Sequence, residues 1–185
     1  MHPEKFIEFI NQSPSFKNIP NQISQKILNY TNRDNWCQIL KKQYSKIDRS
    51  DPIHTQIYKF QSENTFAVTC AHQPCMLGGP LYWWIKIAHT IKIARELNIH
   101  YPQYHFIPVY YSGNEDHDFD EINHLWIFNR KLAWNTLQTG PVGRMSLDGM
   151  NELFEEILSF FTNDEEAKKL IYSIQALKEE VESYE

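Results

Sequence analysis

Two short stretches of the sequence, residues 70–80 and 113–124, concentrate the residue types that carry chemistry. The first (CAHQPCMLGGP) ends in two glycines and a proline, and the second (GNEDHDFDEINH) places five carboxylates within seven residues. Glycine lets a backbone approach a ligand closely, and a histidine among carboxylates suits proton transfer near neutral pH. The residues of a functional site are therefore expected in these two stretches.

The first stretch follows a predicted strand and precedes a predicted helix. At such a junction in an open α/β sheet, exposed N–H groups and the helix dipole favour anions. Gly78 and Gly79 would permit the close approach, beside His72 and Gln73. The stretch has neither the GKS or GKT of a P-loop nor the spacing of a dinucleotide fingerprint. The alternative is an ordinary loop in which Gly-Gly-Pro only separates the strand from the helix and the histidine hydrogen-bonds to the backbone.

The second stretch places His117 between Asp116 and Asp118. The flanking carboxylates favour the imidazolium form, so His117 could serve as an acid or a base. One alternative is an acidic turn that stabilises the dipole of a following helix. Another is a metal site with His117, Asp118, Asp120 and His124 as ligands, although their spacing matches no zinc or calcium pattern.

The elements that position both stretches form one predicted βαβ unit. Residues 65–70 and 105–111 are apolar runs of strand length, and residues 80–97 have helical periodicity. A unit of this size favours a parallel sheet with a right-handed crossover. Because both stretches then follow a strand at its carboxyl end, we expect His72 and His117 to approach each other across one pocket.

The remaining periodicity is mostly helical. Helices are predicted near residues 6–10, 23–28, 36–44 and 52–60, with breaks at 18–20 and 31–35, and again from Met150 onward. Residues 124–128 and 131–135 alternate around Asn129-Arg130, which indicates a hairpin or edge strands. The helix after Pro80 should bury one face on the sheet, formed by Trp84, Ile87, Ala88, Ile91 and Ala94. The predicted divisions are an N-terminal helical segment (1–60), a partial α/β core (61–148) and C-terminal helices (149–185).

Composition narrows the class of protein. The 185 residues include 18 Lys and Arg against 23 Asp and Glu, a net charge of -5, so no general basic surface favours nucleic acid. We find neither an apolar run long enough for a membrane span nor an apolar signal core. Three cysteines without a CxxC pair fit reduced thiols. These features predict a cytoplasmic globular protein that binds neither nucleic acid nor membrane.

Five segments, in their order and spacing, resemble the bacillithiol biosynthesis cysteine-adding enzyme family. They are AHQ (71–73), GPLY (79–82), IPVY (107–110), EDHDFDEIN (115–123) and GPVGR (140–144). The resemblance implies a Rossmann-like nucleotidyltransferase-type parallel sheet with flanking helices, followed by a coiled-coil region. It also implies a ligase that joins cysteine to glucosaminyl malate by an amide bond, the last step of bacillithiol synthesis.

The family's chain is much longer, and the final predicted helix reaches Glu185 without a stop signal. We therefore expect a truncated or split-gene form that holds the first half of an active site. Such a form would associate with itself or with a complementing chain, because it would leave apolar faces uncovered. The expected exposed residues are Trp83 and Trp84 on the long helix and Leu170, Ile174, Leu177 and Val181 on the last one.

The expected site residues combine both stretches with one distant arginine. The resemblance places His72-Gln73 where a histidine-containing signature contacts phosphate. Arg144 lies in a loop constrained by Gly140, Pro141 and Gly143, so it could deliver a guanidinium to a carboxylate or phosphate; the alternative is a surface arginine paired with a helix glutamate. The predicted catalytic residues are His72, Asp116, His117 and Asp118. The predicted substrate-binding residues are Gln73, Gly78, Gly79, Glu115, Asn123 and Arg144.

Three functions remain open at this point. The first is the cysteine ligase, with cysteine and glucosaminyl malate as substrates, ATP as a candidate co-substrate and no metal. The second is a non-catalytic remnant that binds a small anion or nucleotide at the glycine turn. The third is a metal-dependent hydrolase built on the acidic block.

Overall fold

The computed structural model describes residues 15–28 and 32–178. Within these ranges the chain alternates helices and strands, with short 3₁₀ turns at Phe16–Asn18, Met76–Gly78 and Val142–Arg144. The helices are α1 (Ile19–Leu28), α2 (Arg33–Gln43), α3 (Pro52–Lys59), α4 (Leu81–His100), α5 (Phe119–Ile122), α6 (Met150–Ser159) and α7 (Glu165–Lys178). The strands are β1 (Thr65–His72), β2 (His105–Ser112), β3 (His124–Ile127) and β4 (Arg130–Ala133). None of the helices in the described ranges has the length and apolar character needed to cross a bilayer.

Strands β1 and β2 pair in one sheet, with α4 as the connection between them. His105 donates its N–H to the carbonyl of Asn64 at 2.8 Å, and Gly113 donates to that of His72 at 2.9 Å. Both bonds have the same offset along the chain, so the strands run parallel. The predicted α/β class with a Rossmann-like parallel sheet is confirmed.

The hairpin is also confirmed, with its turn one residue earlier than predicted. Strands β3 and β4 pair antiparallel, from His124 opposite Ala133 to Ile127 opposite Arg130. The turn consists of Phe128 and Asn129, with φ of 47° and 64°. A two-residue turn with positive φ at both positions matches the right-handed twist of the strands it joins.

The chain divides into two compact units, each with its own core. The first unit comprises residues 1–68 and 91–108, and the second comprises residues 69–90 and 109–185. In the first unit the buried apolar residues of one cluster are Ile23, Phe66, Ala94, Leu97 and Phe106. In the second the cluster is larger, and its members are Met76, Ile122, Leu132, Trp134, Val142, Met145, Met150, Leu153, Phe154, Ile157 and Ile171.

The core of the second unit fixes the segment that follows the acidic stretch. Trp134 is 1% exposed and donates its indole N–H to the carbonyl of Asp148 at 2.9 Å. Its ring meets that of Phe119 edge to face, with 5.1 Å between the ring centroids. Phe119 begins α5, and Ile122 at its end is buried in the same cluster. The short helix is thereby anchored by apolar contacts that leave the preceding carboxylates outside the core.

Several helices begin or end at residues other than those predicted. Helix α1 begins at Ile19 and includes Pro20, which is tolerated in a first turn, and α2 begins at Arg33 rather than after residue 35. Helix α4 begins after Pro80 and continues to His100. The predicted helix at 6–10 and Val181 lie outside the described residues.

The predicted buried face of α4 is wrong in its first half. Trp84 is 54% exposed, in agreement with the expectation of an uncovered face on this helix, and Ala88 is also exposed. The residues of α4 that are buried instead are Thr90, Ala94 and Leu97. A sheet of two strands spaced about 4.8 Å apart covers only a narrow stripe of a helix. The apolar periodicity of α4 marks a wider face, so it did not identify which residues the sheet covers.

Candidate functional site

The carboxyl ends of β1 and β2 bring the two chemistry-bearing stretches together. The amide Nε2 of Gln73 donates to Asp116 Oδ2 at 2.7 Å and to Glu121 Oε2 at 3.1 Å. Beside this bridge, Gly113 donates its N–H to the backbone carbonyl of His72. The neighbours of His72 and His117 in sequence are thus in direct contact at this edge of the sheet, which is the arrangement that a shared pocket requires.

Asp116 is the most heavily hydrogen-bonded carboxylate of the acidic stretch. Its Oδ1 accepts from the backbone N–H of Asp118 at 3.0 Å, and its Oδ2 accepts from Gln73. These two bonds, in that order, hold the pKa of Asp116 below its ordinary value, and His117 nearby adds to the effect. Asp116 therefore stays ionised at neutral pH. Asp118 stands at the start of α5, but its side chain makes no capping bond there.

The other predicted members of this stretch differ in exposure. His117 is exposed, whereas Asn123 is 9% exposed. Glu115 Oε1 accepts from the hydroxyl of Tyr111 at 2.9 Å, and this bond raises the pKa of Tyr111. Asn123 accepts the backbone N–H of Trp134 at 2.8 Å, which ties α5 to the hairpin. The structure therefore groups Asp116 with Gln73 and gives Asn123 contacts on the side of the core.

His72 is held by hydrogen bonds on both ring nitrogens. Nδ1 lies 2.9 Å from the backbone carbonyl of Gln73 and 3.2 Å from Cys75 Sγ. Nε2 bonds the hydroxyl of Tyr82. A second tyrosine, Tyr110, donates its hydroxyl to the carbonyl of His72 at 3.1 Å. The ring orientation is thus set by its surroundings before any ligand arrives.

The glycine turn after β1 has a packing reason for Gly79. Leu77, Gly78 and Gly79 all have positive φ, at 47°, 88° and 58°. A Cβ on Gly79 would lie 2.2 Å from Cys75 Cβ, closer than atoms can approach. Cys75 is half-buried against this turn, and burial raises the pKa of its thiol. The absence of a side chain at Gly79 therefore makes room for Cys75, whatever the turn binds.

The loop that carries Arg144 lies against the acidic stretch. Val142 donates its N–H to the carbonyl of Asp116 at 2.8 Å, and Gly143 donates to that of Asn114 at 3.0 Å. A Cβ on Gly143 would lie 2.5 Å from Asn114 Cβ, so this close approach requires glycine. Arg144 itself is exposed, and across residues 15–28 and 32–178 its guanidinium has no ion-pair partner.

Three side chains near the site were not singled out from the sequence. Glu121 is the second acceptor of the Gln73 amide, and Tyr82 is the partner of His72. Lys86 places Nζ 5.1 Å from the centroid of the Tyr82 ring and donates to the carbonyl of Ala71 at 3.4 Å. Tyr82 and Lys86 are four residues apart at the start of α4, a spacing that puts both on one helix face. That spacing predicts that the two residues share a helix face, but not that this face meets His72.

The candidate metal ligands do not converge. In the part of the chain that the structure describes, no group of three or more His, Cys, Asp or Glu side chains is arranged to hold a metal ion. His124 Nδ1 lies 3.1 Å from the side-chain oxygen of Asn123. The site is instead a carboxylate pair bridged by an amide, with a held histidine and a lysine beside it.

Comparison with known proteins identifies relatives over most of the chain. Proteins named "Putative cysteine ligase BshC" from Flavobacterium psychrophilum and Flavobacterium johnsoniae are 39% and 40% identical, over 88% and 86% of this chain. A protein of that name from Staphylococcus carnosus is 28% identical over 70% of the chain. The chain spans about a third of the length of these Flavobacterium relatives, 32% and 31%.

A family-level comparison covers nearly all of the sequence. Residues 3–185 match the family described as "Bacillithiol biosynthesis BshC, N-terminal Rossmann-like domain". The parallel β1–β2 sheet and its flanking helices agree with that description. The chain therefore belongs to the BshC family and matches its N-terminal Rossmann-like domain.

Proposed function

We propose that this chain supplies the substrate-binding edge of a cytoplasmic cysteine ligase that joins cysteine to glucosaminyl malate in bacillithiol synthesis. The family match supports the reaction class. The observation that supports the location of the site is the hydrogen-bonded bridge from Gln73 Nε2 to Asp116 and Glu121. It couples the two stretches into one polar surface at the carboxyl ends of parallel strands, where α/β sheets bind ligands.

The charges of this surface match the two charged ends of glucosaminyl malate. The ionised carboxylate of Asp116, with the carboxyl group of Glu121 beside it, suits the ammonium group of the amino sugar. Lys86 and the start of α4 suit a carboxylate, and so does the exposed guanidinium of Arg144. Substrate held in this way would lie with its amine next to His117, which is exposed and close to Asp116.

The chemistry assigned to the site is the deprotonation and attack of that amine. His117 accepts a proton from the ammonium group, and the freed nitrogen attacks the activated carboxyl carbon of cysteine. A C–N bond forms, the C–O bond to the activating group breaks, and that group leaves with the electron pair, while the nitrogen loses its second proton to water. ATP would supply the activating phosphoryl or adenylyl group, since a free carboxylate does not condense with an amine in water.

A domain exchange tests this proposal. The N-terminal third of the Flavobacterium psychrophilum relative is replaced by this chain, and the chimera is expressed in a bacterium that lacks the cysteine-adding step. Mass spectrometry of the thiol pool should then show bacillithiol, and Asp116→Asn in the chimera should abolish it. A folded chimera that makes no bacillithiol, while the intact relative does, would contradict the proposal. Incubation of this chain alone with cysteine, glucosaminyl malate and ATP shows whether it acts unaided.

A further inference from the structure

The imidazole of His72 lies between a carbonyl and a phenol. On one side, Nδ1 is 2.9 Å from the backbone carbonyl oxygen of Gln73. On the other, Nε2 bonds the hydroxyl of Tyr82, whose ring centroid is 5.1 Å from that of the imidazole. Tyr82 is 48% exposed, so this partner of the histidine lies at the surface.

The carbonyl of Gln73 favours one of the two positions for the proton of His72. A backbone carbonyl oxygen only accepts hydrogen bonds, so the contact at 2.9 Å favours a proton on Nδ1. The thiol of Cys75 does not need Nδ1 of His72 as an acceptor. Its Sγ lies 3.4 Å from the same Gln73 carbonyl and can donate its proton there. A thiol is the weaker donor, and a carbonyl oxygen has two lone pairs to accept both. In the neutral ring Nε2 then carries a lone pair, which accepts the hydroxyl proton of Tyr82.

We propose that Tyr82 is a positioning residue for His72: it fixes the imidazole as the neutral Nδ1–H tautomer and stands between that ring and the substrate. The only N–H of this tautomer is already bonded to Gln73. The family resemblance implies that His72-Gln73 lies where a histidine-containing signature contacts phosphate. A direct contact from His72 would require an N–H directed at the ligand. In this arrangement the hydroxyl oxygen of Tyr82 faces outward instead and accepts from a donor group such as an ammonium or a hydroxyl.

Nitrogen-15 NMR of this chain with labelled histidine tests the tautomer without any substrate. At a pH where His72 is neutral, the wild type should show a protonated-type signal for Nδ1 and an unprotonated-type signal for Nε2. Tyr82→Phe keeps the exposed ring and removes only the hydroxyl, so the protein should fold. The His72 signals should then shift toward the Nε2–H form, which free imidazole side chains prefer in water.

Tyr110→Phe is the matched control, because it also removes a hydroxyl bonded to His72, but one that donates to the backbone carbonyl. Its His72 signals should stay at the wild-type tautomer. The inference is overturned if wild-type His72 is the Nε2–H form, or if Tyr82→Phe leaves its signals unchanged.

The role of this pair in substrate handling rests on the proposed function, so a second readout separates the two. In the chimera, Tyr82→Phe should lower kcat at least tenfold and change the pH profile, whereas Tyr110→Phe should not. A chimera without activity contradicts the proposed function and leaves the NMR result to decide on Tyr82. An active chimera in which Tyr82→Phe keeps kcat and pH profile contradicts the role of Tyr82 in the reaction.

Discussion

Gln73 and Asp116, which are 43 residues apart in sequence, are joined by a hydrogen bond of 2.7 Å at the ends of two parallel strands. This bond joins the loop after β1 to the loop after β2. The uncharged amide stabilises two carboxylates by hydrogen bonding, since the same Nε2 also donates to Glu121. The position of the candidate site depends on this bridge.

The bridge predicts a change in the titration of Asp116. Gln73→Ala should raise the pKa of Asp116, because one of the two bonds that favour its ionised form is lost. The pKa should remain below its ordinary value, because the larger contribution, the N–H of Asp118, is retained. Carbon-13 NMR of the carboxyl group against pH measures the change. Gln61→Ala, at an exposed position, is the control and should leave Asp116 unchanged.

The sign of the effect on stability follows from the lowered pKa. A carboxyl group that is more acidic in the folded state stabilises the fold at pH values above its unfolded pKa of about 3.9. That contribution is lost as the pH falls through the lowered folded pKa. Urea denaturation should therefore show a smaller acid-induced loss of stability in Asp116→Asn than in the wild type. An equal or larger loss in the variant would contradict the assignment.

The glycine turn predicts a large effect of one methyl group. Gly79→Ala should destabilise the protein by about 1–3 kcal/mol or more, from overpacking against Cys75 and from positive φ. Gly140→Ala is the matched control, since Gly140 has φ of 106° but no atom within 4 Å of the added Cβ. Gly140→Ala should lower the free energy of unfolding only by the cost of backbone strain. Urea denaturation of both variants measures the difference, and equal losses would show that contact with Cys75 is not what requires Gly79.

Substitution of Arg144 should weaken ligand binding without unfolding the protein. Arg144 is exposed, so Arg144→Lys should leave the melting temperature unchanged. A lysine cannot reproduce the bidentate fork of a guanidinium, and glucosaminyl malate should bind about tenfold more weakly. Calorimetric titration measures this, with Arg49→Lys at an exposed position as the control. Unchanged affinity would remove Arg144 from the site.

Sequence periodicity predicted the βαβ unit because the strands are continuous apolar runs and the crossover helix is long. It also placed Gln73 and Asp116 at one sheet edge, since parallel strands end together. It could not identify Tyr82 or Glu121 as partners, because side-chain pairing depends on how α4 and α5 rotate over the strand ends. The predicted burial of Trp84 failed for a related reason, as the width of the sheet is not encoded in the period of the helix.

The apolar surface of α7 was predicted in part. Leu170 and Leu177 are 64% and 58% exposed, as expected, whereas Ile174 is half-buried against the core. We predict that this surface drives self-association or binds a complementing chain. In sedimentation velocity at low micromolar concentration, Leu170→Glu with Leu177→Glu should reduce association. Leu137→Glu, at a fully exposed loop leucine, should not. A wild type that is a stable monomer without dye-accessible apolar surface would contradict this prediction.

The most direct test of the substrate site is a calorimetric titration of this chain with glucosaminyl malate, beside the variants Asp116→Asn and Gln73→Ala. The wild type should bind measurably, and binding should weaken at least tenfold in both variants while both remain folded. Wild-type affinity in the two variants, or no binding by the folded wild type, would contradict the placement of the substrate at the Gln73 bridge.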